Sequence, residues 1–106
     1  MVRDEKTIMD MDKIRRLLLN NRIIYKHARV EGEKDGIDEL DMKEALINGK
    51  IVENYFPNRK RILVAGTNDE DIPIHLVLDY SKEEVIKIVT VYIPDRDKFA
   101  GYYRRI

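Results

Sequence analysis

The feature that most constrains this chain is a change of hydrophobic period near Gly49. Before it, apolar residues recur at helical spacing; after it, they alternate. Ile8, Met11, Ile14, Leu17 and Leu18 lie three to four residues apart, so a helix is expected over 7–21. Thr7 would be its cap, with Asp10 three residues on. "RIIY" (22–25) reads as a short strand. "KHARVEGEKDG" (26–36) is ambiguous, because Gly32 and few apolar residues make it a weak helix by propensity. In "LDMKEALING", Asp41 and Glu44 are expected to form a capping box. Met42, Ala45 and Leu46 supply the apolar stripe, and Gly49 the stop. The period then becomes two, and strands are expected at "KIVENYF" (50–56), "RILVAG" (61–66), "IPIHLVLDY" (72–80) and "VIKIVTVYI" (85–93). Helices followed by hairpin-linked strands mean an α+β fold. The expectation is N-terminal helices on one face of a mostly antiparallel sheet of four to five strands. Residues 1–6 are expected to fray. The tail 96–106, which follows a Pro-Asp breaker, is expected to form a short amphipathic helix.

A length of 106 residues allows a single domain, 1–106, with one modest core. Charged residues make up 38% of the chain, well above the usual quarter, yet twenty Lys and Arg balance twenty Asp and Glu. Rich, balanced Lys and Glu without Cys is the pattern of a thermophile's protein. Zero net charge argues against strong non-specific nucleic-acid binding, although a local basic patch escapes that argument. The absence of Cys excludes disulfides, thiolate nucleophiles and Cys-ligated metal centres. No apolar run approaches the ~20 residues of a membrane span, and "MVRDEKTIMDMDK" is too polar for a signal peptide. A soluble, cytoplasmic protein that does not engage membranes is expected.

Only two histidines occur, and one, His75, sits in the most apolar strand. If Ser81 to Glu84 form the hairpin loop, Tyr80 faces Val85 and His75 faces Thr90. Ile74, Leu76, Leu78 and Tyr80 then join Val85, Val89, Val91 and Ile93 on the face that packs on the helices. His75, Val77 and Asp79 lie with Thr90, Ile88, Ile86 and Tyr92 on a second, half-polar face, open or lining a groove. A strand histidine hydrogen-bonded to a neighbouring threonine is equally a way to satisfy a partly buried ring.

"YKHA", "DGID", "EALINGKIVENY", "PIHLVLDY", "VTVYIPDRDKF" and "YYRRI" together resemble a widespread prokaryotic family of domains of unknown function, from about Ile23 to Arg105. The strength of the match lies in the order and spacing of several weak motifs. Phe56 departs from it by separating Tyr55 from Pro57. Phe99 stands where the family often has Trp, and Glu31 replaces an arginine often found four residues after His27. That last change argues against an anion-binding role for this helix face. The family is in turn similar to the RelE/ParE/BrnT group of small α+β toxins, whose active members cut RNA without a metal. The resemblance implies a RelE-like fold and singles out His27, His75, Thr90 and Tyr92.

Metal-free RNA cleavage needs a base for the 2′-hydroxyl proton, an acid for the leaving oxygen and cations around the phosphate. His27 and His75 could serve the proton transfers, Tyr92 could act as acid or stack on a base, and Thr90 could orient His75. Cations could come from Arg59, Lys60 and Arg61, or from Arg104 and Arg105 in the tail. His27 and Glu31, one helical turn apart, would need His75 as a third ligand to hold a metal, and read more readily as a surface pair. No metal and no cofactor are expected. Two readings stand: a toxin-like ribonuclease held in check by an antitoxin, and a non-catalytic relative that binds RNA or a protein, with structural histidines. Their discriminator is whether His27 and His75 share a cleft.

Overall fold

Asp10 starts the first helix by accepting a hydrogen bond from the Lys13 amide at 2.8 Å. The structure, a computed structural model, describes residues 9–82 and 84–94 in full and residues 99–100 and 104–105 by backbone alone. Helix α1 spans Met11–Leu19, so its cap is Asp10 rather than Thr7, which lies outside the described residues with the stretch expected to fray. Ile14 and Leu18, one turn apart, face the core. Arg15 reaches from this helix to the carbonyls of Ile47 and Gly49 at 2.8 and 2.9 Å. A cation there suits the unpaired carbonyls of a helix C-terminus.

Strand β1, Ile23–Ile24, leads into helix α2, Lys26–Glu33. The ambiguous segment is therefore helical, and its tertiary setting explains why. Ala28 and Gly32 are both buried, and a Cβ at Gly32 would lie 2.6 Å from the Ile37 carbonyl oxygen and 3.3 Å from Val91. Gly32 thus costs helix propensity but permits a close approach to the sheet. Helix α3, Glu39–Asn48, begins one turn earlier than expected. Asp38 is the N-cap and Asp41 the reciprocal partner, at 2.9 and 3.0 Å. Glu44, expected in that box, accepts instead from the Asp69 amide.

Strands β2 (Lys50–Asn54), β3 (Arg61–Thr67), β4 (Pro73–Asp79) and β5 (Ile86–Tyr92) form a sheet of order β1-β5-β4-β3-β2. The fold is α+β, as its period change predicts. The sheet is mixed: β1 runs parallel to β5, and the other pairings are antiparallel. Ile62 and Val64 of β3, and Ile74, Leu76 and Leu78 of β4, join Ala28, Met42 and Leu46 in the core, so the helices cover one face. Contact is closest at Gly66, where a Cβ would meet the Ala45 backbone oxygen at 2.1 Å. In the tail, Phe99–Ala100 (β6) pairs antiparallel with Arg104–Arg105 (β7), where a helix was expected. Among the described residues no helix is long and apolar enough to cross a membrane.

Candidate functional site

The β4–β5 ladder decides what the second face presents. His75 pairs with Tyr92, Leu76 with Val91 and Val77 with Thr90; Leu78 then pairs with Ile88 and Asp79 with Lys87. Val89 is the extra residue of a β-bulge, and beyond it the strand's two faces exchange. Ile86 and Ile88 therefore pack in the core with Val91, in place of the expected Val85 and Val89. Val85, Lys87 and Val89 are left on the helix-free face. Thr90, expected to orient His75, stands opposite Val77 instead.

His75 is 0% exposed, where an open or groove-lining position was expected. Its cross-strand partners on the two sides are Ala65 and Tyr92. Leu63, on the same face of β3, is also buried, although neither it nor Ala65 belongs to the helix-side core. Nδ1 of His75 lies 3.4 Å from the Tyr92 hydroxyl, and the rings meet edge to face with centroids 5.4 Å apart. Each of the two makes further contacts. Nearby on the same face, the Tyr55 hydroxyl donates to Glu53.

His27 is exposed on α2, whose inner side packs on the opposite face of the sheet. The structure thus brings His75 and Tyr92 together and leaves His27 apart from both. The same separation breaks up the His27, Glu31 and His75 trio.

Arg59 and Lys60 are exposed in the turn between β2 and β3. Arg61, half-buried at the start of β3, gives its Nε–H to Oδ2 of Asp79 at 2.8 Å. Oδ1 of Asp79 accepts from the Ser81 amide and hydroxyl at 2.9 and 2.6 Å. Burial works against the charge on Asp79, but the Ser81 bonds and the adjacent guanidinium together hold its carboxyl below the usual carboxylate range. This pair floors a pocket of about 190 Å³ that is also lined by Ile24, Lys82, Val85, Lys87 and Val89. Sequence reasoning missed Lys82 and Lys87 as binding residues, because Lys87 comes beside Asp79 only in a hairpin register one residue away from the expected one. The side chains of Arg104 and Arg105 lie outside the described residues.

Asp41, Glu44 and Asp69 each place an oxygen within 4.8 Å of the others. They are already engaged, Asp41 in the α3 cap and by the Asn68 amide, and Glu44 by the Asp69 amide.

Searches of curated proteins and of solved structures each return no match to the chain. The family described as "Domain of unknown function (DUF4258)" matches residues 24–93, from β1 to the end of β5. That span is most of the chain and includes every described residue that lines the pocket. This protein belongs to the DUF4258 family.

Proposed function

We propose that this chain is a non-catalytic RNA-binding module on a scaffold like that of the RelE/ParE/BrnT toxins. The observation that carries this reading is the placement of the histidines. His75 is wholly buried on the helix-free side of the sheet, and His27 is exposed on the helices of the other side. Acid and base must each come within about 3 Å of one phosphodiester, whereas packed layers alone stand about 10 Å apart. Two histidines so divided cannot serve one scissile bond.

The helix-free face supports RNA as the ligand. It sets cations (Arg61, Lys82, Lys87) beside apolar side chains (Ile24, Val89), the combination that suits phosphate and sugar or base together. The neighbouring turn adds Arg59 and Lys60, next to Phe56, which is 43% exposed.

One observation favours the ribonuclease reading instead. The His75–Tyr92 contact sets an imidazole nitrogen against a phenol hydroxyl, and one member, Tyr92, is only half-buried. The test is incubation of labelled single-stranded RNA in EDTA at elevated temperature with wild type, His75→Ala and Tyr92→Phe. Retention of the RNA on the protein without cleavage is the expected result. Cleavage by wild type that disappears in His75→Ala, with the fold intact by circular dichroism, would establish a metal-free nuclease and overturn the proposal.

A further inference from the structure

We propose that the pocket at the β1–β5–β4 corner seats a terminal phosphomonoester, the end phosphate of an RNA strand; this rests on the RNA-binding reading and names the group its site takes. Three features of the pocket carry it.

The first is unspent donors. Arg61 uses only its Nε–H on Asp79, so among the described residues its two terminal nitrogens have no acceptor. The Lys82 and Lys87 side chains are exposed and engage in no ion pair or hydrogen bond among the described residues. Asp79 is the one acidic side chain among the described residues that line the pocket.

The second is charge matching. Both oxygens of Asp79 are occupied, by Arg61 and by Ser81, so the Arg61–Asp79 pair is neutral as a unit. Two ammonium groups remain. A phosphomonoester carries about −1.5 to −2 near neutral pH, and a diester within a strand carries half that or little more. Two lysines together with a guanidinium fork therefore suit the monoester.

The third is size and lining. At about 190 Å³ the pocket is smaller than the ~300 Å³ at which sites for drug-sized ligands begin. It has room for a phosphate and adjoining atoms of the sugar. Ile24, Val85 and Val89 then offer an apolar wall to the sugar or to the first base.

The test uses an internally labelled twelve-nucleotide RNA with a 5′-phosphate, a 3′-phosphate or neither, titrated against the full chain by fluorescence anisotropy. The proteins are wild type and Lys82→Gln/Lys87→Gln, whose exposed side chains leave the fold undisturbed, checked by circular dichroism. A phosphate on one end is expected to tighten wild-type binding about tenfold, and the gain to vanish in the double variant. RNA binding that ignores terminal phosphates would overturn this inference and leave the RNA-binding reading standing. A parallel titration with adenosine 5′-monophosphate, followed by the amide resonances of Ile24, Lys82 and Lys87, separates strand from free nucleotide. Mononucleotide binding without RNA binding would overturn the strand as the source of the phosphate, and the RNA reading with it. Binding of neither ligand would sink both.

Discussion

His75 shows how far a single residue can be read without its neighbours. A histidine in an apolar strand is anomalous in any fold, but what it touches depends on which residue stands opposite. A register one residue away from the expected one at the hairpin end, with Asp79 opposite Lys87, and the bulge at Val89 together put Tyr92 there and move Thr90 opposite Val77. Tyr80 is a second case. Its hydroxyl is buried with no partner among the described residues. An unsatisfied buried polar atom costs about 1–3 kcal/mol, so Tyr80→Phe should raise stability by about 1 kcal/mol, read from the urea midpoint at constant slope. Tyr25, half-buried beside Glu39, is pushed up to about 12, mainly by burial and then by that carboxylate. A raised phenol favours folding while it stays protonated. This contribution is complete below the ordinary value of about 10 and is lost as pH rises towards 12. Tyr25→Phe should therefore flatten the alkaline fall in melting temperature over that interval. Asp79 has the opposite sign, because its depressed carboxyl stabilises the fold above about pH 3.9. That stability drains away as pH falls through the depressed value, and Asp79→Asn should flatten the acid limb of the same profile.

At the scale of elements, local signals located the helices better than their ends. Three aspartates or glutamates (Asp38, Asp41, Glu44) lie one turn apart at the start of α3, and each consecutive pair fits a capping box. The choice fell on Asp38 and Asp41, while Glu44 was drawn to the β3–β4 loop at Asp69. Asp38→Ala should consequently cost about 1 kcal/mol, and Glu44→Ala clearly less, in parallel chemical denaturation. Glycine works in two distinct ways here. Gly36 has φ of +72° with open space around it, so Gly36→Ala should cost about 1 kcal/mol through backbone strain alone. Gly66 lies against the Ala45 backbone at 2.1 Å from where a Cβ would stand, so Gly66→Ala must force α3 off β3 and should cost several times more. Measured side by side, an equal loss at the two positions would contradict this account.

Across the whole molecule, the twenty cations and twenty anions cancel in sum but are not spread evenly. Arg29 and Lys43 pair with Glu39 on the helical side, whereas the Lys82 and Lys87 side chains at the pocket have no partner among the described residues. Net charge is therefore a poor guide to binding in this chain; the local field at the sheet corner is what a phosphate would meet. If RNA lies across Lys82 and Lys87 and reaches Arg59 and Lys60, about four phosphates are neutralised. The logarithm of affinity should then fall with the logarithm of salt concentration at a slope of roughly −3, from about −0.7 for each phosphate of a single strand. The Lys82→Gln/Lys87→Gln variant should reduce that slope by about half.

By itself the sequence determined the kinds of element and their order, since the period of apolar residues is a local property that three or four neighbours suffice to express. The α+β class, the helix-side positions of β4 and the oddity of His75 all follow from it. The tertiary structure decided how the elements meet. It made a helix of 26–33 by burying Ala28 and Gly32 against the sheet, and it laid β1 parallel to β5 across more than sixty residues of chain. A one-residue shift of register at the hairpin end turned Val85 and Lys87 to the pocket face, and the extra residue, Val89, kept Val91 in the core beyond it. Cross-strand register has no local signature, because a shift of one residue preserves alternation perfectly while reversing every side chain. Packing on the far side of the chain settles which register wins.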